Sequence, residues 1–177
     1  VVNDGANDSN VATSTITVVA ADNDAPALDL DLSNTTTGTG YAATFTEDGA
    51  AVAIADTDIS ITDVDDTNLE SATITLKNAE LDDVLDASSV TGLTVDTSVA
   101  NQVTLKGSAS LAVYEAAIAA ITFENTSDNP VAGDRTIEVV VNDGANDSNV
   151  ATSTITAVAA ANVAPAVALE LSNTTTR

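Results

Sequence analysis

The chain has 177 residues, lacks Cys, His, Met and Trp, and carries 27 acidic residues against 4 basic ones, a net charge of −23. Such an acidic excess repels phosphate and so excludes nucleic acid and anionic membrane as partners. The missing thiols and imidazoles exclude disulfides and the soft-ligand sites of zinc, copper or iron. At 44% hydrophobic residues, set in alternation, the composition is that of a folded chain rather than a disordered one.

The first element in chain order is a segment that returns. Residues 1–17 (VVNDGANDSNVATSTIT) recur unchanged at 140–156, and 31 of 38 positions are identical between 1–38 and 140–177 at a constant offset of 139. Self-similarity at fixed spacing marks a tandem array. The expected organisation is therefore 1–21 as the C-terminal strands of a preceding repeat, 22–161 as one complete repeat, and 162–177 as the first strand of the next. Within the repeat the apolar period is two. Residues 27–32 (ALDLDL) place Leu28, Leu30 and Leu32 on one face, and 41–46 (YAATFT) do the same with Tyr41, Ala43 and Phe45. Further runs follow at 59–61, 71–76, 102–105, 121–123, 136–141 and 149–158. Short alternating β-branched runs between Asp/Asn/Gly/Ser clusters predict an all-β Greek-key β-sandwich of about seven or eight strands. One stretch departs from this. Residues 110–120 (SLAVYEAAIAA) set Leu111, Tyr114 and Ile118 at helical spacing behind Ser110 as N-cap, which predicts one short crossover helix. The four aromatics, Tyr41, Phe45, Tyr114 and Phe123, fall at core or near-core positions. The four cations, Lys77, Lys106, Arg135 and Arg177, are scattered, and Asp96 sits in an isolated turn.

Three acidic clusters carry the candidate chemistry: Asp22-Asn23-Asp24, Asp63 with Asp65 and Asp66, and Asn142-Asp143 with Asp147. In an up-and-down Greek-key order the first is the linker entering the repeat. The second and third are loops at that same end, so all three converge. Carboxylates gathered without basic partners raise one another's pKa, and a hard cation with six to eight oxygen ligands relieves this. Calcium is the expected ion, with Asp22, Asn23, Asp24, Asp63, Asp65, Asp66 and Asp143 as ligands and Glu47, Asp48, Asn142 and Asp147 in a second tier. Glu47 and Asp48 belong to a loop expected at the opposite end, facing the next linker, where Ala161 and Val163 stand at the places of Asp22 and Asp24. Asn-Asp-Gly is also a hairpin signal in its own right. The 63–66 loop is not an EF-hand, because Gly at position 6 and Glu at position 12 are missing.

The residues 22–26 (DNDAP), the order V-N-D-G, S-N and A-T-S-T-I-T ahead of them, residues 114–144 and 45–49 (FTEDG) together resemble the cadherin-like and immunoglobulin-like repeats of giant type I-secreted bacterial surface adhesins. The resemblance covers nearly the whole repeat. It implies an extracellular extender at the bacterial cell surface, with calcium at its junctions and Asp22, Asp24, Asp63, Asp65 and Asp66 as ligands. Partners would be neighbouring identical repeats or subunits, joined as a fibre or by strand addition. The alternative is a carbohydrate- or protein-binding module. Sugar sites need aromatic platforms, and an exposed Tyr41 would favour that reading. An enzyme is not expected, since the acids lie in linkers and turns and no His or Cys is available as nucleophile or base. No run of 18 apolar residues is present to span a membrane.

Overall fold

The computed structural model describes residues 1–19, 22–33 and 38–160. Among these described residues, eleven strands and one helix follow in order. They are β1 (Ala27–Asp29), β2 (Tyr41–Thr46), β3 (Val52–Ala53), β4 (Ser60–Thr62), β5 (Asn68–Leu76), β6 (Asp83–Asp86), β7 (Thr94–Asp96), β8 (Gln102–Ser110), α1 (Leu111–Ala119), β9 (Thr122–Asn125), β10 (Gly133–Asn142) and β11 (Ala151–Val158). A six-stranded sheet, in the order β2-β11-β10-β5-β8-β7, forms one layer of an all-β sandwich. The pair β1-β4 and the sheet β3-β9-β6 complete the fold. The strand count exceeds the seven or eight expected because β3, β6 and β7 are two to four residues long, too short for a period of two to register.

Alternation builds the core. In β11, Ala151, Ser153, Ile155 and Ala157 face inward, and in β10 Ile137, Val139 and Val141 do the same. Phe45 of β2 and Phe123 of β9 meet edge-to-face, with ring centroids 5.8 Å apart, a geometry worth ~0.5–1.5 kcal/mol beyond the area it buries. β11 is shared: it runs antiparallel to β10 (Gly133↔Ala157 to Val139↔Ala151) and parallel to β2 (Ser153↔Tyr41 to Val158↔Thr46).

The helix forms where expected, with Tyr114, Ala117 and Ile118 buried and Leu111 packed against the core. Ser110 has the extended backbone of an N-cap, but its side chain makes no capping hydrogen bond. The helix is instead pinned by tertiary bonds. The Glu115 carboxylate accepts the Ile61 N–H at 2.7 Å, and the Tyr114 hydroxyl donates to the Gly107 carbonyl at 2.7 Å.

Three expectations need correcting. The alternation of 27–32 stops at Leu30: Asp31 is buried and Leu32 is 56% exposed. The chain leaves β1 through a turn in which the Asp29 carboxylate accepts the Asp31 N–H, and this rotates the following side chains out of register. Arg135 is not a scattered surface cation. Its Nε donates to the Asp83 carboxylate at 2.6 Å, with both side chains buried. Asp96 is not isolated, since it pairs with Lys106 at 2.7 Å; the Lys106 ammonium and Ser98 hold its carboxyl well below the usual range.

Residues 1–19 are exposed and add no strand to any of the three sheets. They form one turn, closed by an isolated bridge between Asn3 and Asp8. The expected first strand of a following repeat, 162–177, lies outside the described residues. Among the described residues no helix is long and apolar enough to cross a membrane.

Candidate metal centre

The site is assembled from one linker and two loops. Asp63 closes the loop between β4 and β5: its Oδ1 accepts the N–H groups of Asp65 (3.1 Å) and Asp66 (2.9 Å). This Asx turn fixes the three carboxyl groups so that one oxygen of each lies within 4.8 Å of the others. The Asp63 carboxyl is held below the usual range, chiefly by the Asp66 backbone N–H. Asp65 is held above it, first by partial loss of water and then by the Asp63 carboxyl it faces. One member of the cluster thus resists ionising, as expected where like charges crowd.

The entry linker docks on this loop. The Asp24 N–H points at both Asp65 oxygens (3.3 Å each), and Asn23 Nδ2 donates to Asp66 Oδ2 at 2.8 Å. The loop between β10 and β11 closes in from the other side. Asn146 Nδ2 donates to the Asn23 carbonyl at 2.9 Å and to its side-chain oxygen. Asn23 therefore bridges the second and third clusters, and the convergence expected from strand order is what the structure has.

The third loop uses most of its polar atoms on itself. Asn142 accepts from the Gly144 N–H and donates to Asp147, while Asp143 Oδ1 accepts the N–H groups of Ala145 and Asn146. Gly144 allows the closure with φ 109°, and a Cβ there would stand 3.1 Å from Glu70 Cγ. Two oxygens at this end are buried without a hydrogen-bond partner: Asp63 Oδ2 and Asp143 Oδ2. Such atoms are costly unless something compensates them. Asp22 is exposed on the linker.

Glu47 and Asp48 do not join the site. They follow β2, whose parallel register with β11 places them beside Val158, at the far end of the sheet from the 142–147 loop. There Glu47 N–H donates to the Val158 carbonyl, and its Oε2 accepts the Ala160 N–H at 2.7 Å. The exit linker that they would face, 161–165, lies outside the described residues.

A second trio was not singled out from sequence. Asp31, Asp56 and Asp58 also bring one carboxyl oxygen each within 4.8 Å, at the other end of the β1–β4 pair. Asp58 Oδ2 accepts the Ser33 N–H, and Asp58 Oδ1 is buried without a partner. The Asp-Thr-Asp of 56–58 was the available signal; the apparent alternation of 27–32 hid Asp31. Among the described residues, two clusters of three acidic residues could therefore hold a metal ion. Sequence also passed over Asn149, whose side chain acts as an extra strand residue: Oδ1 accepts the Leu28 N–H and Nδ2 donates to the Leu28 carbonyl, both at 2.9 Å. That clamp ties the start of β1 to the approach to β11, directly behind the linker. Tyr41 is half-buried against the core rather than offered as an exposed platform.

Comparison of the chain with protein-family models, curated proteins and solved structures gives no match.

Proposed function

We propose that this chain is a structural extender repeat of a bacterial cell-surface adhesin or extracellular fibre, stiffened by calcium at the junction where the linker 22–24 meets the loops 63–66 and 142–147. The observation that carries the reading is the Asn23 bridge. It brings three acid-rich segments, 43 and 123 residues apart from it in sequence, to one end of the sandwich, with two buried carboxylate oxygens there uncompensated. All donors are hard oxygens, and Asp, Asn and backbone carbonyls are the groups that calcium takes. Asp63, Asp65, Asp66 and Asp143 would hold the ion, with Asp24 and Asn23 closing it from the linker. A cation there would neutralise the crowding and lock the linker to the domain, which is the mechanical task of an extender. The net charge of −23 keeps neighbouring fibres apart and soluble.

The test is calorimetric melting of the chain in calcium and in chelator. A ligand bound only to the native state adds ~2.7 kcal/mol at a hundredfold excess over its Kd. Asp65→Ala should abolish that increment and Asp128→Ala, an exposed loop position, should leave it intact. Equal melting temperatures of the unaltered chain in calcium and in chelator would remove the site and the reading with it.

A further inference from the structure

The β1–β4 pair is a ladder of three residue pairs, Ala27↔Thr62 to Asp29↔Ser60, and it joins neither larger sheet. A two-stranded ladder this short is marginal by itself. Its Thr62 end runs into Asp63 and the candidate centre at the linker. The opposite end, past Asp29 and Ser60, carries Asp31, Asp56 and Asp58. Hydrogen bonds stitch these two segments together. The Asp56 N–H donates to the Leu30 carbonyl at 2.9 Å. The Ser33 N–H donates to Asp58 Oδ2, and Ser33 Oγ donates to Asp31 Oδ1, both at 2.9 Å. Asp56 Oδ1 accepts from the Thr57 hydroxyl at 3.0 Å.

We propose that Asp31, Asp56 and Asp58 form a second, separate site for a hard divalent cation of calcium's class, which clasps the far end of the ladder. Two observations beyond the clustering support it. Asp58 Oδ1 is buried with no hydrogen-bond partner, a costly arrangement unless something compensates it. Asp31, in the same trio, is 0% exposed, and a buried carboxylate calls for a cation. The described basic side chains are committed elsewhere: Lys77 to Glu138, Lys106 to Asp96 and Arg135 to Asp83. The spacing suits one ion. One oxygen of each carboxylate lies within 4.8 Å of the others, and oxygens bound to a common calcium stand at most about 5 Å apart. Carboxylate oxygens alone favour calcium over zinc or copper. The site uses none of residues 22–24, 63–66 or 142–147, so it stands or falls apart from the extender reading.

Asp65→Ala, which removes the linker-end site, isolates the second one. Calorimetric titration of Asp65→Ala with calcium chloride should still find one ion per chain, and the variant should melt higher in calcium than in chelator. Adding Asp58→Asn or Asp56→Ala should lose both the bound ion and the calcium-dependent rise. Asp58→Asn is also the folding control. Its side-chain oxygen can still accept the Ser33 N–H, and it relieves one of three crowded charges, so in chelator it should melt no lower than Asp65→Ala alone. A purely structural Asp58 would instead lower the melt equally in calcium and in chelator, which would overturn the proposal. So would an Asp65→Ala chain that binds no calcium and melts alike in both solutions, or a calcium response that survives both Asp58→Asn and Asp56→Ala. If the unaltered chain loses its whole response on Asp58→Asn and none on Asp65→Ala, the linker-end site fails and this one stands.

Discussion

Arg135→Ala should be the most destabilising single substitution of a charged residue in the sandwich. Its guanidinium donates from Nε to Asp83 at 2.6 Å, from Nη1 to the Gly133 carbonyl at 3.2 Å and from Nη2 to the Val131 carbonyl at 2.8 Å. The two side chains of the pair are 3% and 0% exposed. Removal leaves the Asp83 carboxylate buried with only the Asn125 amide and the Glu80 N–H as donors. Breaking a buried pair from one side costs ~3–5 kcal/mol, because the remaining charge is stranded. At roughly 3 °C per kcal/mol for a domain of this size, the melting temperature should fall by about 10–15 °C. Lys77→Ala is the comparison. Lys77 and Glu138 pair at 3.0 Å but are 49% and 38% exposed, so water screens the pair and its loss should cost ~0–1 kcal/mol. Urea unfolding followed by far-UV circular dichroism measures both. Adding Asp83→Asn to Arg135→Ala should recover part of the loss, since it removes the stranded charge. If Arg135→Ala costs no more than Lys77→Ala, or if Asp83→Asn worsens it, the buried pair does not hold β6 to β10 as argued.

Two further outcomes are expected. Asn149→Ala removes both bonds to Leu28 and leaves a strand N–H and carbonyl unpaired, at ~1–3 kcal/mol; amide exchange at Leu28 should accelerate, and unchanged exchange would mean that the clamp is idle. The Tyr114 phenol is pushed up to about 12, first by burial and then by the Glu70 carboxylate. The folded value is therefore raised above the ordinary one of ~10, so its stabilising effect is complete below that pH and is lost as pH climbs toward 12. Ultraviolet phenolate titration should show Tyr114 ionising only together with alkaline unfolding, and a simple titration of both tyrosines near 10 would contradict this.

How much of this was readable in advance follows from the range of each interaction. A period of two is a property of adjacent residues, so Ser71 to Leu76 and Thr136 to Val141 declared themselves as strands, and Leu111, Tyr114 and Ile118 declared the helix. Strand order then placed the linker 22–24 beside 63–66 and 142–147, because an up-and-down sandwich returns alternate loops to one end. The identical turns at Asn3–Asp8 and Asn142–Asp147 show the same local determination: their side chains close them whether or not a sheet follows. Tertiary structure alone decided the rest. Arg135 finds Asp83 across 52 residues and Asn149 finds Leu28 across 121, partners that no local pattern encodes. Asp31 looked outward by alternation and is buried, because a turn after Leu30 changed the register. The same seventeen residues supply the end of β10, a turn and most of β11 at one place and are an exposed segment at the other. Sequence supplies the capacity to pair; the presence of β2 and β10 alongside decides whether the pairing is made.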